Sequence, residues 1–227
     1  PATGGVLYEA GTDLSNGPDI RGEALRHISI GAYDSEYVYR TLKASAGDYS
    51  LMSTWESTEQ TNLVTDGDAH VLECYDDWGS GLSDNPDING WNASATYPLT
   101  VRAAAGSEAT GVGNGFRLTY DPNNGNATLT IQTSHVYVES IGVISTSNNA
   151  CIYNATASGT TFGYDSLVVH SVGGGTQGRG IRGANNQNGY IRNCLCVTDV
   201  TGSGTNIYGL YIPGATDTDA LAIDNNT

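Results

Sequence analysis

The chain has 227 residues and is strongly acidic, with 24 Asp and Glu residues against 9 Lys and Arg and a formal net charge of −15. This balance disfavours nucleic acids and anionic membranes as partners, because both attract basic surfaces. No apolar run approaches the length of a membrane span. Glycine is abundant at 30 residues and proline is scarce at 6, which is typical of many tight corners between short strands.

The first 36 residues share no repeat with the rest of the chain, and their first half is rich in Gly, Thr, Asn and Asp. A short helix can follow, with Asp19 as its N-cap and Ile20, Leu25 and Ile28 along one side. This N-terminal arm either caps one end of the fold or reaches a neighbouring subunit. We predict the second role, with these four residues as the attachment element.

The next part of the chain is predicted to form a strand and a helix. Apolar and polar residues alternate over Tyr37–Lys43, which indicates a strand. Ser53 and Glu56 have the spacing of a capping box, which predicts a helix from about Leu51 to Thr61. We expect this helix to bury Trp55 and to cover the first turn of the domain that follows, since an uncovered turn is an unpaired sheet edge.

A short alternating pattern then returns four times in the second half of the chain. Its copies begin at Val138, Tyr164, Ile191 and Thr218. The steps between equivalent residues are 26, 27 and 27 residues. Two positions are apolar in every copy, namely Ile141, Leu167, Cys194 and Leu221, and then Val143, Val169, Cys196 and Ile223. A second apolar series advances by 29 and 29 residues, through Ile152, Ile181 and Leu210.

Two apolar series that advance together at nearly one period predict a coiled solenoid, and the alternation within each copy makes its units strands. A solenoid of strands is a parallel β-helix, in which equivalent residues stack into ladders about 4.8 Å apart. The alternative is a β-sandwich with irregularly spaced strands. We predict an all-β fold with the arm in residues 1–36, the strand and capping helix in 37–68, and the parallel β-helix in 69–227, beginning with the strand Ala69–Tyr75.

Four cysteines offer no metal-type spacing and no Cys/His cluster, and they are Cys74, Cys151, Cys194 and Cys196. Two of them, Cys194 and Cys196, fall on one face of one strand, where side chains at that separation bridge poorly. We therefore predict reduced thiols that fill the core ladders, buried in the case of both Cys194 and Cys196. Reduced thiols in turn predict assembly in a reducing cytoplasm.

Four charged residues occupy one equivalent position of the repeat, namely Glu139, Asp165, Arg192 and Asp219. Carboxylates stacked on neighbouring strands are candidates for glycan cleavage, which needs one protonated acid and one ionised base or nucleophile. Glu139, Asp165 and Asp219 are therefore the candidate catalytic residues. In the interpretation that we favour, Arg192 neutralises its acidic neighbours on a solvated surface.

An acidic loop offers oxygen ligands for calcium, as a polysaccharide lyase would require, and its carboxylates are Asp76, Asp77, Asp84 and Asp87. No calcium-loop spacing is present, so plain solvated surface is the favoured interpretation and no metal or other cofactor is predicted. Trp78 and Trp91 flank this loop, and Tyr208 and Tyr211 border a late strand. These rings could stack on a sugar, although packing at corners is the commoner use of such side chains.

The segment Lys43–Glu56 resembles the opening of a group of phage and prophage β-helix proteins, with a Gly-Asp-Tyr, a short spacer and a Thr-Trp-Glu helix. The similarity runs from about Tyr39 to Thr227. Its further motifs lie in Glu73–Tyr75, Ile88–Trp91, Pro98–Gly106 and Tyr137–Ile144. The resemblance implies a right-handed, single-stranded parallel β-helix of the pectate-lyase-like superfamily, found in virion parts and in surface proteins of bacteria. These motifs mark a fold and its cap and carry no chemistry.

We therefore predict a structural component of a phage virion, a capsid decoration or fibre-like protein anchored by its N-terminal arm. The expected partners are the major capsid protein or other virion subunits, with this chain present as a homo-oligomer or in many copies. Assembly in the host cytoplasm would place it on the virion surface. Two alternatives stay open: a glycan-binding or glycan-cleaving tailspike-like module, and a secreted polysaccharide lyase. A non-enzymatic role is favoured.

Overall fold

A computed structural model describes residues 36–121, 127–147, 149–156, 161–173, 177–183, 188–200, 206–211 and 221–227. All described residues belong to one compact unit, residues 36–227. The predicted attachment residues lie outside the described part of the chain. They are Asp19, Ile20, Leu25 and Ile28.

The described residues form two helices, α1 (Met52–Glu59) and α2 (Leu63–Asp66), and sixteen strands in three sheets. The first sheet contains β1 (Glu36–Leu42), β2 (Asp68–Cys74), β4 (Leu99–Ala103), β7 (Val136–Glu139), β10 (Thr161–Asp165), β13 (Asn188–Arg192) and β16 (Leu221–Asp224). The second sheet contains β5 (Arg117–Tyr120), β8 (Gly142–Ser145), β11 (Val168–Gly173) and β14 (Leu195–Val200). The third sheet contains β3 (Asp87–Ile88), β6 (Leu129–Ile131), β9 (Ala150–Asn154), β12 (Gln177–Gly183) and β15 (Asn206–Tyr211).

The strands wind as a parallel β-solenoid, as the repeat predicts. Among the described residues every strand pairing is parallel, and the chain passes through the first, second and third sheets in the same order each time. Four complete turns of three strands follow one another from β4 to β15. The first sheet starts earlier than predicted, because β1 pairs with β2 from Glu36–Asp68 to Leu42–Cys74. The strand expected to precede the solenoid is therefore part of it.

The interior consists of apolar ladders that run from turn to turn. Two predicted ladders are confirmed over three turns: Val143–Val169–Cys196 in the second sheet and Ile152–Ile181–Leu210 in the third. The first sheet adds a row of completely or almost completely buried side chains: Leu72, Val101, Val138, Tyr164 and Ile191. Burying each such side chain contributes about 1.5–3 kcal/mol, so these rows are the main favourable term in the fold.

One corner is repeated between the first and second sheets. Ser140, Ser166, Asn193 and Asn225 all have positive φ, between 49° and 58°. A left-handed residue turns the chain sharply, and short polar side chains adopt this conformation more readily than bulky ones. The repeated corner therefore fixes where each strand of the first sheet ends.

The fourth copy of the repeat was predicted in the wrong register. Leu221 pairs with Gly189, and Ile223 pairs with Ile191 instead of Cys196. The step from Ile191 to Ile223 is 32 residues, so the last turn is longer than the 27-residue step assumed. Asp224 thus takes the position beside Arg192 that the sequence assigned to Asp219, which lies outside the described residues.

Asn226 follows the last of these corners and satisfies the backbone of the turn before it. Its side-chain amide donates to the carbonyl of Ile191 and accepts from the N–H of Cys194, both at 2.9 Å. A side chain that pairs two strand-end groups reduces the number of unsatisfied backbone groups there.

Helix α1 begins within about one residue of its predicted start, but the predicted capping box is wrong. Leu51 is the N-cap, without a side-chain bond. The carboxylate of Asp84 accepts from the backbone N–H of Ser53 at 2.9 Å and from its hydroxyl at 2.8 Å. The Glu56 carboxylate accepts instead from the N–H of Asn89 at 3.2 Å. A residue from a later loop therefore supplies the helix with the cap that the local sequence was expected to provide.

Trp55 is fully buried, as predicted, and its ring lies 5.5 Å from that of Trp91. That helix α1 covers the first turn of the solenoid stays a prediction. Neither described helix is long and apolar enough to cross a membrane.

All four cysteines are unbridged. Three are buried, whereas Cys196 is partly exposed, so the prediction that Cys196 is buried is wrong. Burial raises the pKa of Cys151 to about 12 and those of Cys194 and Cys196 to about 11. Thiols with such values are weak nucleophiles at neutral pH and behave as core-filling apolar groups.

Candidate functional site

The outer face of the first sheet carries a row of charged residues, and it contains the candidate catalytic carboxylates. Strand register places six residues in this charged row: Glu73, Arg102, Glu139, Asp165, Arg192 and Asp224. Neighbouring strands are about 4.8 Å apart, so each residue borders the next. Glu139 and Asp165 are therefore adjacent, as predicted from the repeat.

Asp165 is held by a dense set of hydrogen bonds. Oδ2 accepts from Arg192 Nε at 2.8 Å and lies 2.7 Å from Arg192 Nη2, while Oδ1 accepts from Ser166 at 2.9 Å and Asn193 at 3.0 Å. Burial alone would raise the pKa of the Asp165 carboxyl, but these bonds outweigh it and hold the pKa below its ordinary value. Asp165 is thus kept ionised, which suits an ion pair and does not suit a general acid.

A second ion pair lies further along the same row. Arg102 Nη2 is 2.5 Å from Glu73 Oε1, and both side chains are largely shielded from solvent. The guanidinium of Arg102 also lies 5.7 Å from the ring centre of Tyr39. The favoured interpretation of Arg192 as a neutralising partner agrees with the Asp165 geometry, and Arg102 repeats the arrangement three strands away.

A pair of tyrosines borders the charged row on the same face. Tyr137 and Tyr190 stack with ring centres 6.3 Å apart and an interplanar angle of 28°. Gly163 lies between them in the sheet, and a Cβ atom there would come within 2.5 Å of both rings. The absence of a side chain at Gly163 is what lets the two rings meet across an intervening strand.

The four carboxylates proposed as calcium ligands point to different partners. Asp77 accepts from the N–H of Ala44, Asp87 accepts from the side chain of Gln132, and Asp76 lies 3.9 Å from Arg117. Asp84 caps helix α1, as described above. Within the described ranges, no three His, Cys, Asp or Glu side chains form a group that could hold a metal ion.

The two candidate sugar-stacking tryptophans are both used in packing. Trp91 is buried between Trp55, at 5.5 Å, and His70, whose ring lies edge-on at 5.3 Å. Its ring is therefore not available to a glycan. Trp78 is partly exposed and packs edge-on against Phe116, with ring centres 5.8 Å apart.

A different cluster lies on the third sheet, and it joins Tyr208 and Tyr211, two of the candidate sugar-stacking rings, to two arginines that the sequence had not marked. We call it the Arg–Tyr group, and its members are Tyr153, Arg179, Arg182, Tyr208 and Tyr211. The Arg182 guanidinium lies 4.4 Å from the ring centre of Tyr153, and that of Arg179 lies 5.1 Å from the ring centre of Tyr211. The rings of Tyr208 and Tyr211 are 5.1 Å apart.

Strand register explains how this group assembles. Arg182 pairs with Tyr153 on one side and Tyr211 on the other, and Arg179 pairs with Tyr208. Tyr153, Arg182 and Tyr211 therefore lie side by side on three strands. Each directly follows a residue of the predicted ladder Ile152–Ile181–Leu210. Advancing that ladder by one residue could therefore have found three of the five members from the sequence.

Both arginines face outward because the strand is irregular between them. Ile181 is buried, and a Cβ atom on Gly180 would approach Val169 of the second sheet at 3.1 Å and the backbone of Gly209 more closely still. Two successive residues thus point toward the interior. Strict alternation would have placed Arg179 and Arg182 on opposite faces.

Comparison with known proteins identifies no relative: no family model matches the chain, and no curated protein or solved structure is significantly similar to it.

Proposed function

We propose that this protein is a non-enzymatic structural component of a phage particle, a capsid decoration or fibre-like β-helix protein anchored through residues 1–36. The phage assignment is supported by the sequence resemblance, which begins in Lys43–Glu56 and extends along the chain. A solenoid of four complete parallel turns is consistent with an extended, stiff body.

One observation supports the non-enzymatic part of the proposal above the others. The adjacent carboxylates that looked most like a catalytic pair belong to the charged row, where Asp165 accepts three hydrogen bonds, lies 2.7 Å from Arg192 Nη2 and has a lowered pKa. Catalysis of glycan cleavage needs one carboxyl with a raised pKa near the scissile bond. A residue locked to Arg192 in this way stabilises the surface of the solenoid.

The tailspike-like alternative retains one argument of its own. Glu139 lies beside Asp165 on the next strand, so a pair of carboxylates does exist about one strand spacing apart. In that case Asp165 would have to be the ionised partner and Glu139 the proton donor. The secreted lyase alternative has weaker support, because its candidate calcium ligands bind separate partners.

Two experiments test the proposal. Mass spectrometry of purified phage particles from the producing host should find this chain at a stoichiometry of many copies per particle, and its absence from particles would overturn the phage assignment. Incubation of the purified protein with acidic polysaccharides, with and without calcium, should release no reducing or unsaturated ends. Release that Glu139→Gln abolishes would favour the tailspike-like alternative.

The anchoring role of the arm has a test of its own. A chain that lacks residues 1–36 should unfold at nearly the wild-type temperature and should be lost from particles. Wild-type occupancy by the truncated protein would show that the arm is not the anchor. Failure of the truncated protein to fold would show that the segment is a cap.

A further inference from the structure

The Arg–Tyr group differs from every other arginine site in the described residues. Arg40 pairs with Glu59, Arg102 with Glu73 and Arg192 with Asp165. Arg117 donates to two backbone carbonyls and lies near Asp76. Within the described ranges, Arg179 and Arg182 have no carboxylate within 4.0 Å and donate no hydrogen bond; these two residues complete the set.

The way these guanidinium groups are held leaves their charge available. Each lies against a tyrosine ring, which covers one face of the plane. The Nε atoms of Arg179 and Arg182 are buried and have no hydrogen-bond partner among the described residues. Stacking on a ring does not consume the in-plane donors, so the terminal nitrogens can still bind a carboxylate, in bidentate fashion where geometry allows.

Two cations without a counter-charge repel each other. An acidic chain offers many carboxylates that could pair with them. It carries 24 acidic against 9 basic residues, yet none of the acidic residues that the structure describes pairs with Arg179 or Arg182. Tyrosine and arginine are also the residue types most enriched among those that dominate protein–protein binding energy. Tyr208, at 38% exposure, adds an accessible ring to the group.

We propose that the Arg–Tyr group is a contact site for a second copy of this chain, whose surface carboxylates pair with Arg179 and Arg182. Local charge complementarity favours this occupant, because the chain carries 24 acidic residues against 9 basic ones and exposes acidic side chains elsewhere on the solenoid. Asp121, which follows β5, and Asp199 in β14, whose Oδ2 lies 2.9 Å from His170 Nε2, are two such exposed carboxylates on the side of the second sheet.

The contact joins different surfaces of the two copies. The Arg–Tyr group belongs to the third sheet, whereas Asp121 and Asp199 belong to the second, so one copy offers cations where the other offers anions. Such a heterologous contact leads to a ring or to an open chain of copies, according to the rotation between them. The proposal does not depend on the phage assignment, so either can fail while the other stands.

Sedimentation equilibrium of the full chain over a concentration series tests the contact. Wild type should associate reversibly at about 0.1 M salt and more weakly at about 1 M, where the Debye length falls from about 10 Å to about 3 Å. The double variant Arg179→Gln/Arg182→Gln should associate about tenfold more weakly or not at all, because removal of a dominant contact costs at least that factor. Arg192→Gln, which changes an arginine of the charged row, is the matched control and should associate like wild type.

Three outcomes would overturn the proposal. Wild type could remain monomeric over the whole series, or the double variant could associate as wild type does, or the control could lose association equally. A monomer that binds tetragalacturonate through Arg179 and Arg182 would show that the occupant is an acidic saccharide and not a second copy.

Thermal unfolding checks that each variant is folded. If the double variant does not fold, the single variants Arg179→Lys and Arg182→Lys, which keep charge and lose the planar donor pair, take its place, and unchanged association in both overturns the contact.

Discussion

The outer faces of the first and third sheets use arginine in opposite ways. In the charged row, Arg102 and Arg192 each lie beside a carboxylate on a neighbouring strand, at 2.5 Å and 2.7 Å. In the Arg–Tyr group, Arg179 and Arg182 lie on tyrosine rings and have no carboxylate partner among the described residues. Both arginines of the first face are thus paired within one molecule, whereas the two arginines of the third sheet can take a counter-charge from outside.

This difference indicates which surface of a solenoid is the better candidate for a binding site. Ladder geometry brings equivalent residues together on every face, so proximity of charged side chains is not by itself evidence of a site. What distinguishes the two faces is whether the charges are satisfied by their own neighbours. The carboxylate pair that looked catalytic in the sequence lies on the first face, whereas the two arginines that the sequence did not mark lie on the third sheet.

The largest effect on stability is expected at Gly163, because Tyr137 and Tyr190 can stack on the first face only if this position has no side chain. Gly163→Ala places a methyl group 2.5 Å from the rings of Tyr137 and Tyr190, so the stack must open or the strands must shift. We expect a loss of about 1–3 kcal/mol in the free energy of unfolding, measured by chemical denaturation. Gly79→Ala is the matched control, since nothing lies within 4 Å of its added Cβ, and a loss as large as that of Gly163→Ala would contradict the steric explanation.

A smaller effect is expected from opening the shielded ion pair of the charged row. Arg102→Ala leaves Glu73, a largely shielded carboxylate, without its guanidinium partner. Loss of a hydrogen bond to a charged group costs about 1.5–2 kcal/mol, which denaturation at pH 7 would detect. In the double variant Arg102→Ala/Glu73→Ala the cost should be less than the sum of the two single losses, and strict additivity would show that the pair is not coupled.

The solenoid was predictable because its interior is periodic. Val143 and Val169, or Ile152 and Ile181, stand one turn apart and report the register directly from the sequence. The register of the last turn was predicted wrongly because the step from Ile191 to Ile223 is longer than the earlier steps. A pattern matched at a fixed period is then aligned with residues that are not equivalent in the structure. The repeated left-handed corner, which ends at Asn225, was the better marker of register.

Features that depend on contacts between distant residues were not predictable. Ser53 and Glu56 have the spacing of a local cap, but Asp84 arrives from another turn and displaces that arrangement. The outward direction of both Arg179 and Arg182 depends on an irregularity that alternation cannot show. Ladders follow from spacing alone, whereas caps and exposed clusters depend on where loops and bulges place the chain.

The charged row should also give stability that depends on pH. The folded pKa of Asp165 is depressed below its ordinary value of 3.8, so its stabilisation is fully present above that value and is lost as pH falls through the lower folded value. Asp165→Asn, which cannot ionise, should be less stable than wild type by about 1 kcal/mol at pH 7. Denaturation between pH 7 and pH 2 should show this gap closing at acid pH, and a gap that stays constant would mean that the charge of Asp165 is not what stabilises the surface.

The smallest effect on folding stability is expected at the Arg–Tyr group. The contrast with the larger losses in the charged row is the clearest difference between the two faces. Arg182→Ala removes a stacked cation and no carboxylate contact, so a dilute sample should lose no more than about 0.5–1 kcal/mol. Because no carboxylate lies within 4.0 Å of Arg182 within the described residues, the loss should be the same from pH 7 to pH 3. A pH-dependent loss like that of Asp165→Asn would reveal a carboxylate partner within the same molecule. Arg182 would then be paired within the molecule, as Arg102 and Arg192 are, and no counter-charge from a second copy would be needed.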